Sequence, residues 1–425
     1  MTARISSRKG DEITIEIKIR LSGSILEREE QVLEGLNEGG NVATQEVLKD
    51  FDADGADLKI GGTKWYSKGR LPKTYNTPYG TITVERYVYQ SSQGGTTLCP
   101  FEDNARIIRN STPRFVKMIT HKFAHNAVNQ VMEDFEQNHG RPCLRATLQD
   151  IVTHVGTIVQ EKEESWDYET PEMESKVATV GIGVDGACML LCDKNWREAM
   201  TGSLSLYDKK GERLHTIYVG AAPEHGKKIF YERMTREIAH VKKLYPKAKY
   251  AGIADGAKSN WDYLGAYIDQ PILDFYHVTE YLAAAAQAMG TSVEKRKEWL
   301  DATCHTLKHE PQAAQKILRE LQEAMDRSKR IKNTVKEDLR KCITYFTNHL
   351  HQMDYAGYLK QGYPIGSGVT EAACKTLVKQ RLCRSGMRWS PQGAQNVLSL
   401  RALVITEGRW QQFWQKICKY GAPKI

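Results

Sequence analysis

Apolar and polar positions follow different periods in different parts of this chain. Over residues 1–60, Ile25, Val32 and Leu36 recur at helical spacing among charged neighbours, which predicts a helical preface. The period then falls to two. From Thr81 to Tyr89, Ile82, Val84 and Val88 share one face and Thr83, Glu85 and Tyr87 the other, with Gly80 as the preceding turn. Residues 61–110 are therefore expected to form a β-rich subdomain. Helical spacing returns over 111–160. Ser111-Thr112-Pro113 reads as an N-cap followed by proline at the first helical position, and Phe115, Met118, Ile119, Phe123 and Val128 continue the stripe. His139-Gly140-Arg141-Pro142 breaks the run, and Leu148, Ile151, Val152 and Val155 restart it. Helix, break and helix suits a helix-turn-helix, although any αα-hairpin gives the same pattern.

Residues 161–176 are acidic and polar, and a linker and domain boundary are expected there. From Val177 the pattern becomes mixed. Apolar strands are predicted near 177–184, 200–207 and 214–220, then a helix over 226–244 with Ile229, Met234, Ile238 and Val241 as its buried stripe. A strand near 249–254 leads to Asp255, and another leads to Asp274. Three strands followed by helix, strand, helix and strand is the element order of a ribonuclease-H-like sheet. Residues 177–280 are expected to be the first part of such a core and 281–358 an all-helical insertion. Residues 359–425 are expected to complete the core, with a helix near Glu371, another from Ser390-Pro391 to about Thr406, and an aromatic stripe of Trp410, Phe413, Trp414 and Ile417 docking into it. The expected class is α/β, with a ribonuclease-H-like catalytic core, a large helical insertion and an α+β N-terminal DNA-binding region.

Composition narrows the function. No apolar run approaches the roughly 20 residues of a membrane span, and the N-terminus has no signal-peptide apolar region; a cytoplasmic protein with no membrane partner is expected. Nine cysteines without regular spacing favour a reducing compartment over a disulfide framework. Cys188 and Cys192 are expected to be packing residues, Cys304-His305 is too sparse for a metal site, and zinc is not supported. The net charge is +8, and residues 361–425 alone hold ten basic and two acidic residues. That concentration beside Glu371 suits a polyanionic partner. Residues 104–149, with seven basic and three acidic residues, are compatible with DNA as well.

The candidate chemistry rests on three carboxylates. Asp185 ends the predicted strand Val-Gly-Ile-Gly-Val-Asp, Asp255 ends Tyr-Ala-Gly-Ile-Ala-Asp, and Glu371 stands in the first turn of a helix after Pro364-Ile365-Gly366-Ser367-Gly368. Cleaving a phosphodiester requires activating a nucleophile and stabilising a leaving oxygen, which two divalent cations can do together. Hard cations take oxygen ligands, so carboxylates on converging rigid elements are the right donors. Gly181, Gly183 and Asp185 share one strand face, which leaves room for a ligand or a close helix. The same glycines nominally match a dinucleotide fingerprint with Gly186, but they lie inside a strand instead of opening a helix. Asp274 and His277 are possible accessory residues, His277 alternatively being a structural histidine at a helix start. Lys375, Lys379, Arg381, Arg384 and Arg388, together with Arg141 and Arg145, are the candidates for contacts to DNA.

Together, Gly-Val-Asp185-Gly-Ala, Ala-Asp255-Gly-Ala, Asp274-Phe-Tyr-His277, Pro-Ile-Gly-Ser-Gly-Val-Thr-Glu371-Ala-Ala-Cys-Lys and Arg384-Ser-Gly-Met-Arg-Trp389 resemble the DDE transposases of bacterial insertion sequences, of the Kra type. Trp196-Arg-Glu-Ala and Ala222-Pro-Glu-His-Gly226 are similar to that family too, and the likeness spans roughly residues 65–420. It implies a catalytic and metal-binding triad of Asp185, Asp255 and Glu371, two Mg²⁺ ions with Mn²⁺ as a substitute, and cut-and-join chemistry at terminal inverted repeats. It also implies a nucleoid-associated protein acting on double-stranded DNA as a dimer or larger assembly. Members often carry paired cysteines after the early hairpin; here Cys99 stands alone, which counts against a zinc-stabilised N-terminal subdomain. A nuclease or resolvase without strand transfer, and an inactive DNA-binding derivative, are the competing expectations.

Overall fold

The computed structural model describes residues 2–95, 97–163, 165–290, 292–327 and 332–422. The chain divides into two compact units, Met1–Lys162 with Trp410–Ile425, and Glu163–Arg409.

The first unit opens with an antiparallel hairpin, β1 (Thr2–Lys9) and β2 (Glu12–Lys18), before the helix α1 (Ile25–Leu48). The expected helical preface thus opens with strand. Ile13, Ile15 and Ile17 alternate with Glu12, Thr14 and Glu16, a period-two signal that the charge density obscured. Helix α1 is capped by a reciprocal Ser24–Glu27 box. Its Ile25, Val32 and Leu36 stripe is exposed, while Gly35 and Gly39 face Ile17 and Ile19 of the hairpin region. The glycine face packs because only glycine permits that close approach.

Strands β3 (Leu58–Ile60), β4 (Thr63–Thr77), β5 (Gly80–Ser91) and β6 (Thr97–Leu98) form an antiparallel sheet. Ile82, Val84 and Val88 are buried as the alternation requires. Helix α2 (Pro100–Asn104) follows, then α3 (Pro113–His125), α4 (Val128–His139) and α5 (Arg145–Glu163). The single long helix expected after Pro113 is broken at Asn126-Ala127, where both residues are extended. Gly140 closes α4 in the left-handed conformation (φ 57°), so the break expected at His139-Gly140-Arg141-Pro142 is a glycine C-cap.

The second unit holds a five-stranded mixed sheet. Its strands are β7 (Thr179–Leu190), β8 (Trp196–Tyr207), β9 (Arg213–Ala221), β10 (Lys249–Ala254) and β11 (Gln270–Leu273), in the order β11-β10-β7-β8-β9. β7, β8 and β9 are antiparallel neighbours; β10 runs parallel to β7, and β11 parallel to β10. Helices α6 (Lys228–Leu244) and α7 (Lys258–Leu264) cover one face, burying Phe230, Met234, Ile238, Val241 and Leu264 against Val180, Ile182 and Val184. The α6 stripe begins at Phe230; Ile229, expected in it, is 47% exposed, and the helix starts at Lys228, two residues after the expected start.

Helices α8 (Phe275–Met289), α9 (Val293–His309), α10 (Ala313–Arg327), α11 (Asn333–His349) and α12 (Tyr355–Lys360) form the helical segment. It shares one hydrophobic core with β10 and β11, including Ile253, Ile272, Leu282, Ile317, Leu339 and Phe346. The helix α13 (Gly368–Ala373) continues through a π-helical turn at Cys374–Lys379 into α14 (Gln380–Leu382), and α15 (Pro391–Ile405) lies against β9. The last helix, α16 (Arg409–Tyr420), buries Trp410, Phe413, Trp414 and Ile417. Residues 410–425 belong to the first unit, not to the sheet domain where 359–425 were expected. Among the described residues no helix is long and apolar enough to cross a membrane.

Candidate active site

β7 does not end at Asp185, as its sequence suggested. It continues to Leu190, paired with β8 throughout. What ends there is its other neighbour. β10 pairs with β7 as far as Ile253 opposite Gly183 and stops at Ala254. Asp255 follows directly on the end of β10, and its charge is felt at Asp185. Both carboxylates therefore stand where the parallel pairing opens, the usual place for a ligand in such a sheet.

The helix carrying Glu371 reaches this place because the glycine face of β7 admits it. A Cβ on Gly183 would lie 1.9 Å from Thr370 Oγ1 and 3.0 Å from Thr370 Cβ, and one on Gly181 would lie 3.2 Å from Pro364 Cγ. Thr370 Oγ1 also bonds Ser203 Oγ on β8 (2.8 Å). The preceding loop is pinned: Phe275 N donates to Ile365 O (3.0 Å) and Ser367 N to Asp274 Oδ1 (2.9 Å). Gly183→Ala is expected to cost about 1–3 kcal/mol by overpacking, with Thr370→Ala recovering part of it; urea unfolding measures both.

Each carboxylate is held by neutral donors. Asp185 accepts from Gly186 N (2.7 Å) and Cys374 Sγ (3.2 Å). Asp255 accepts from Asn260 Nδ2 (3.0 Å) and Ala257 N (3.1 Å), and Glu371 from Ser367 Oγ (2.9 Å). Among the described residues none of the three forms an ion pair. Burial raises the Asp185 carboxyl above its usual range, with the Asp255 charge adding to it and the Gly186 and Cys374 donors opposing. The His277 charge also opposes the rise at Asp185, without a direct ion pair to it. Asp185 and Glu371 line one open cleft of about 630 Å³, and Asp255 lines another of about 500 Å³ with His277. Among the described residues no three Asp, Glu, His or Cys side chains are already gathered as a metal-binding group. The donor set fits a hard divalent cation in kind and charge.

The other expected residues divide clearly. Asp274 is fully buried and caps α8, accepting from Tyr276 N and His277 N as well as Ser367 N. It is a positioning residue for the Glu371 loop. His277 bonds Glu280 Oε2 (3.0 Å); burial opposes its protonation, but Glu280 and the Asp274 and Asp255 charges outweigh this and raise its pKa. Lys375, Lys379 and Arg388 are exposed, and Arg384 is half-buried with Nε on Gln380 O (2.7 Å). Arg381 is not a DNA contact: it is 1% exposed and lies over the Trp389 ring, with its pKa lowered to about 9 by burial and by Arg401 and Arg384. Arg141 is likewise buried, 3.8 Å above the Phe115 ring and bonded to Gly80 O. Both arginines look solvent-bound in sequence, and only their aromatic partners across the fold bury them. Arg145 remains exposed, bonded to the Asn129 side chain.

Sequence reasoning missed Cys374. Its thiol bonds both Asp185 Oδ2 and Thr201 Oγ1 (2.9 Å), and burial pushes its pKa up to about 12, so it acts as a neutral donor. Its position three residues after Glu371 was the available signal. Cys188 and Cys192, expected to pack, are exposed: Cys188 lies near the end of β7 and Cys192 in the turn after it.

Compared with known proteins, the chain matches no family model and no curated relative.

Proposed function

We propose that this chain is a divalent-metal-dependent DNA transposase of the DDE type, with Asp185, Asp255 and Glu371 as its catalytic carboxylates. The observation that carries the reading is that β10 stops one residue before Asp255 while its parallel partner β7 runs on through Asp185, with the Glu371 helix seated on the glycine face of the same β7. The order β11-β10-β7-β8-β9 in a mixed sheet is compatible with the ribonuclease-H-like core that the reading calls for, a likeness of fold that supports it without deciding the chemistry. The π-helical turn immediately after Glu371 is a feature frequent at functional sites.

Mg²⁺ bound by these carboxylates, with Mn²⁺ as a substitute, supplies activation of the attacking oxygen and stabilisation of the leaving one. The remaining work belongs to the chain. Cys374 and Gly186 orient the Asp185 carboxylate, and Asn260 orients Asp255. Asp274 fixes the loop from which Glu371 projects. Lys375 and Lys379, exposed on the Glu371 helix, attract the DNA phosphates. The first unit, with its α3–α5 helices and exposed Arg145, reads the transposon ends, and two copies bring two ends together.

A duplex carrying the inverted repeats that flank the reading frame tests this. Wild-type protein with Mg²⁺ should nick at the repeat ends and join the freed 3′-hydroxyl to a second duplex. Asp255→Ala should abolish both steps and keep end binding. Cutting by Asp255→Ala would refute the assignment, and cutting without joining by the wild type would instead identify a nuclease.

A further inference from the structure

The helical segment between β11 and the Glu371 helix is large, and nothing in the reaction outlined above uses it. One of its faces is directed at the candidate site. Gly256, next to Asp255, has no room for a side chain: a Cβ there would lie 2.6 Å from Tyr345 Cε2 and 2.9 Å from His349 Nε2. Helix α11 is thus packed onto the turn that carries Asp255. The cleft of about 500 Å³ that includes Asp255 is walled by α11 and α8, a volume in the range of small-ligand sites.

Its chemistry is selective. Arg340, Lys341, Thr344 and Asn348 of α11 line it and are all exposed. They lie at spacings of one, four and eight residues, which places them along one side of the helix. Tyr281 and Tyr345 stack at 3.9 Å and 11° and line the same cleft. Tyr345 Oη is buried without a hydrogen-bond partner. Glu337 lines the cleft too and pairs with Arg340, and Lys341 adds a second cation. Cationic side chains, neutral donors and an aromatic wall are the groups that track a nucleic-acid backbone.

We infer that this α8–α11 cleft is a binding site for the phosphate backbone of a single DNA strand, held by Arg340 and Lys341 and led past the tyrosine pair to Asp255. The assignment rests on the transposase reading and adds to it. The helical segment becomes the element that grips one strand beside the reacting phosphodiester.

The test uses the full-length chain and a fluorescein-labelled single-stranded oligonucleotide, with anisotropy followed across a salt series without divalent metal. Arg340→Ala/Lys341→Ala removes the two cations from exposed positions, so folding is not at risk. Lys297→Ala/Lys316→Ala makes the same charge change on α9 and α10, outside the cleft. The cleft variant is expected to bind about tenfold more weakly and to lower the slope of log affinity against log salt by about 1.4, the effect of two phosphate contacts on a single strand. The control is expected to bind like the wild type. Equal losses in both double variants, or none in the cleft variant, would overturn the cleft assignment and leave the carboxylate site standing. A wild-type chain that binds neither single-stranded nor duplex DNA would overturn the transposase reading with it.

Discussion

Asp185→Asn is expected to leave the fold intact and to reduce Mg²⁺-dependent DNA cleavage by about a thousandfold, roughly 4 kcal/mol of lost transition-state stabilisation. The substitution keeps the shape of the side chain and its hydrogen bond from Gly186 N. It removes a charge that burial already disfavours. In EDTA the variant should therefore melt at or above the wild-type temperature, since an unpaired buried charge is a cost to the folded state. In Mg²⁺ the order should reverse. A ligand that binds only the native state adds stability in proportion to the logarithm of its concentration over Kd, and under the proposed assignment the variant lacks one ligand to the cation. Calorimetry with and without Mg²⁺, beside a cleavage assay, separates the possibilities. Full activity in Asp185→Asn would remove Asp185 from the reaction. Lost activity with a lowered melting temperature in EDTA would mean that its role is structural.

The largest effect on stability is expected from Glu237→Ala. Arg409 grips Glu237 through two parallel bonds of 2.6 and 2.7 Å, and its guanidinium lies 5.1 Å from the Tyr168 ring centre. The Arg409 side chain is 9% exposed and that of Glu237 22%. Removing the carboxylate leaves a guanidinium enclosed without its partner, a loss of about 3–5 kcal/mol for a fully buried pair. The residual exposure of Glu237 places the expectation near the lower end, about 3 kcal/mol, or a fall of roughly 6–12 °C in Tm. Glu237→Ala/Arg409→Met should recover most of it, because replacing both charges with apolar groups leaves nothing uncompensated. The pH dependence has a definite sign. Burial raises the Glu237 carboxyl, but Arg409 outweighs it and holds the group below the usual carboxylate range. The pair's contribution is therefore present above the unfolded value of about 4.3 and is lost as pH falls through the folded one. The acid limb of the stability curve should be shallower in Glu237→Ala than in the wild type.

The expected elements with long periodic or capped signals were legible in sequence. β10 at Lys249–Ala254 and the helix opened by Ser390-Pro391 fall where their patterns put them. The alternation from Thr81 to Tyr89 buries Ile82, Val84 and Val88. Less legible were segments in which charge masks a period. The Glu12–Lys18 strand reads as polar because half its residues are. The breaks that split 278–358 into separate helices rest on short signals such as Gly290 and Glu310-Pro311.

By itself the sequence singled out the candidate carboxylates, the loop that precedes Glu371, and a face of β7 that carries glycine at 181 and 183, because these depend only on residue type and local period. Tertiary structure alone decided that Asp185 lies mid-strand, where one neighbour stops and the other continues. It also decided that Cys374 is the partner of Asp185, that Arg381 and Arg141 are enclosed by aromatic rings, and that α11 faces Asp255. Most of these are contacts between residues distant along the chain, and a one-dimensional pattern carries a residue's period but not the identity of the surface it meets.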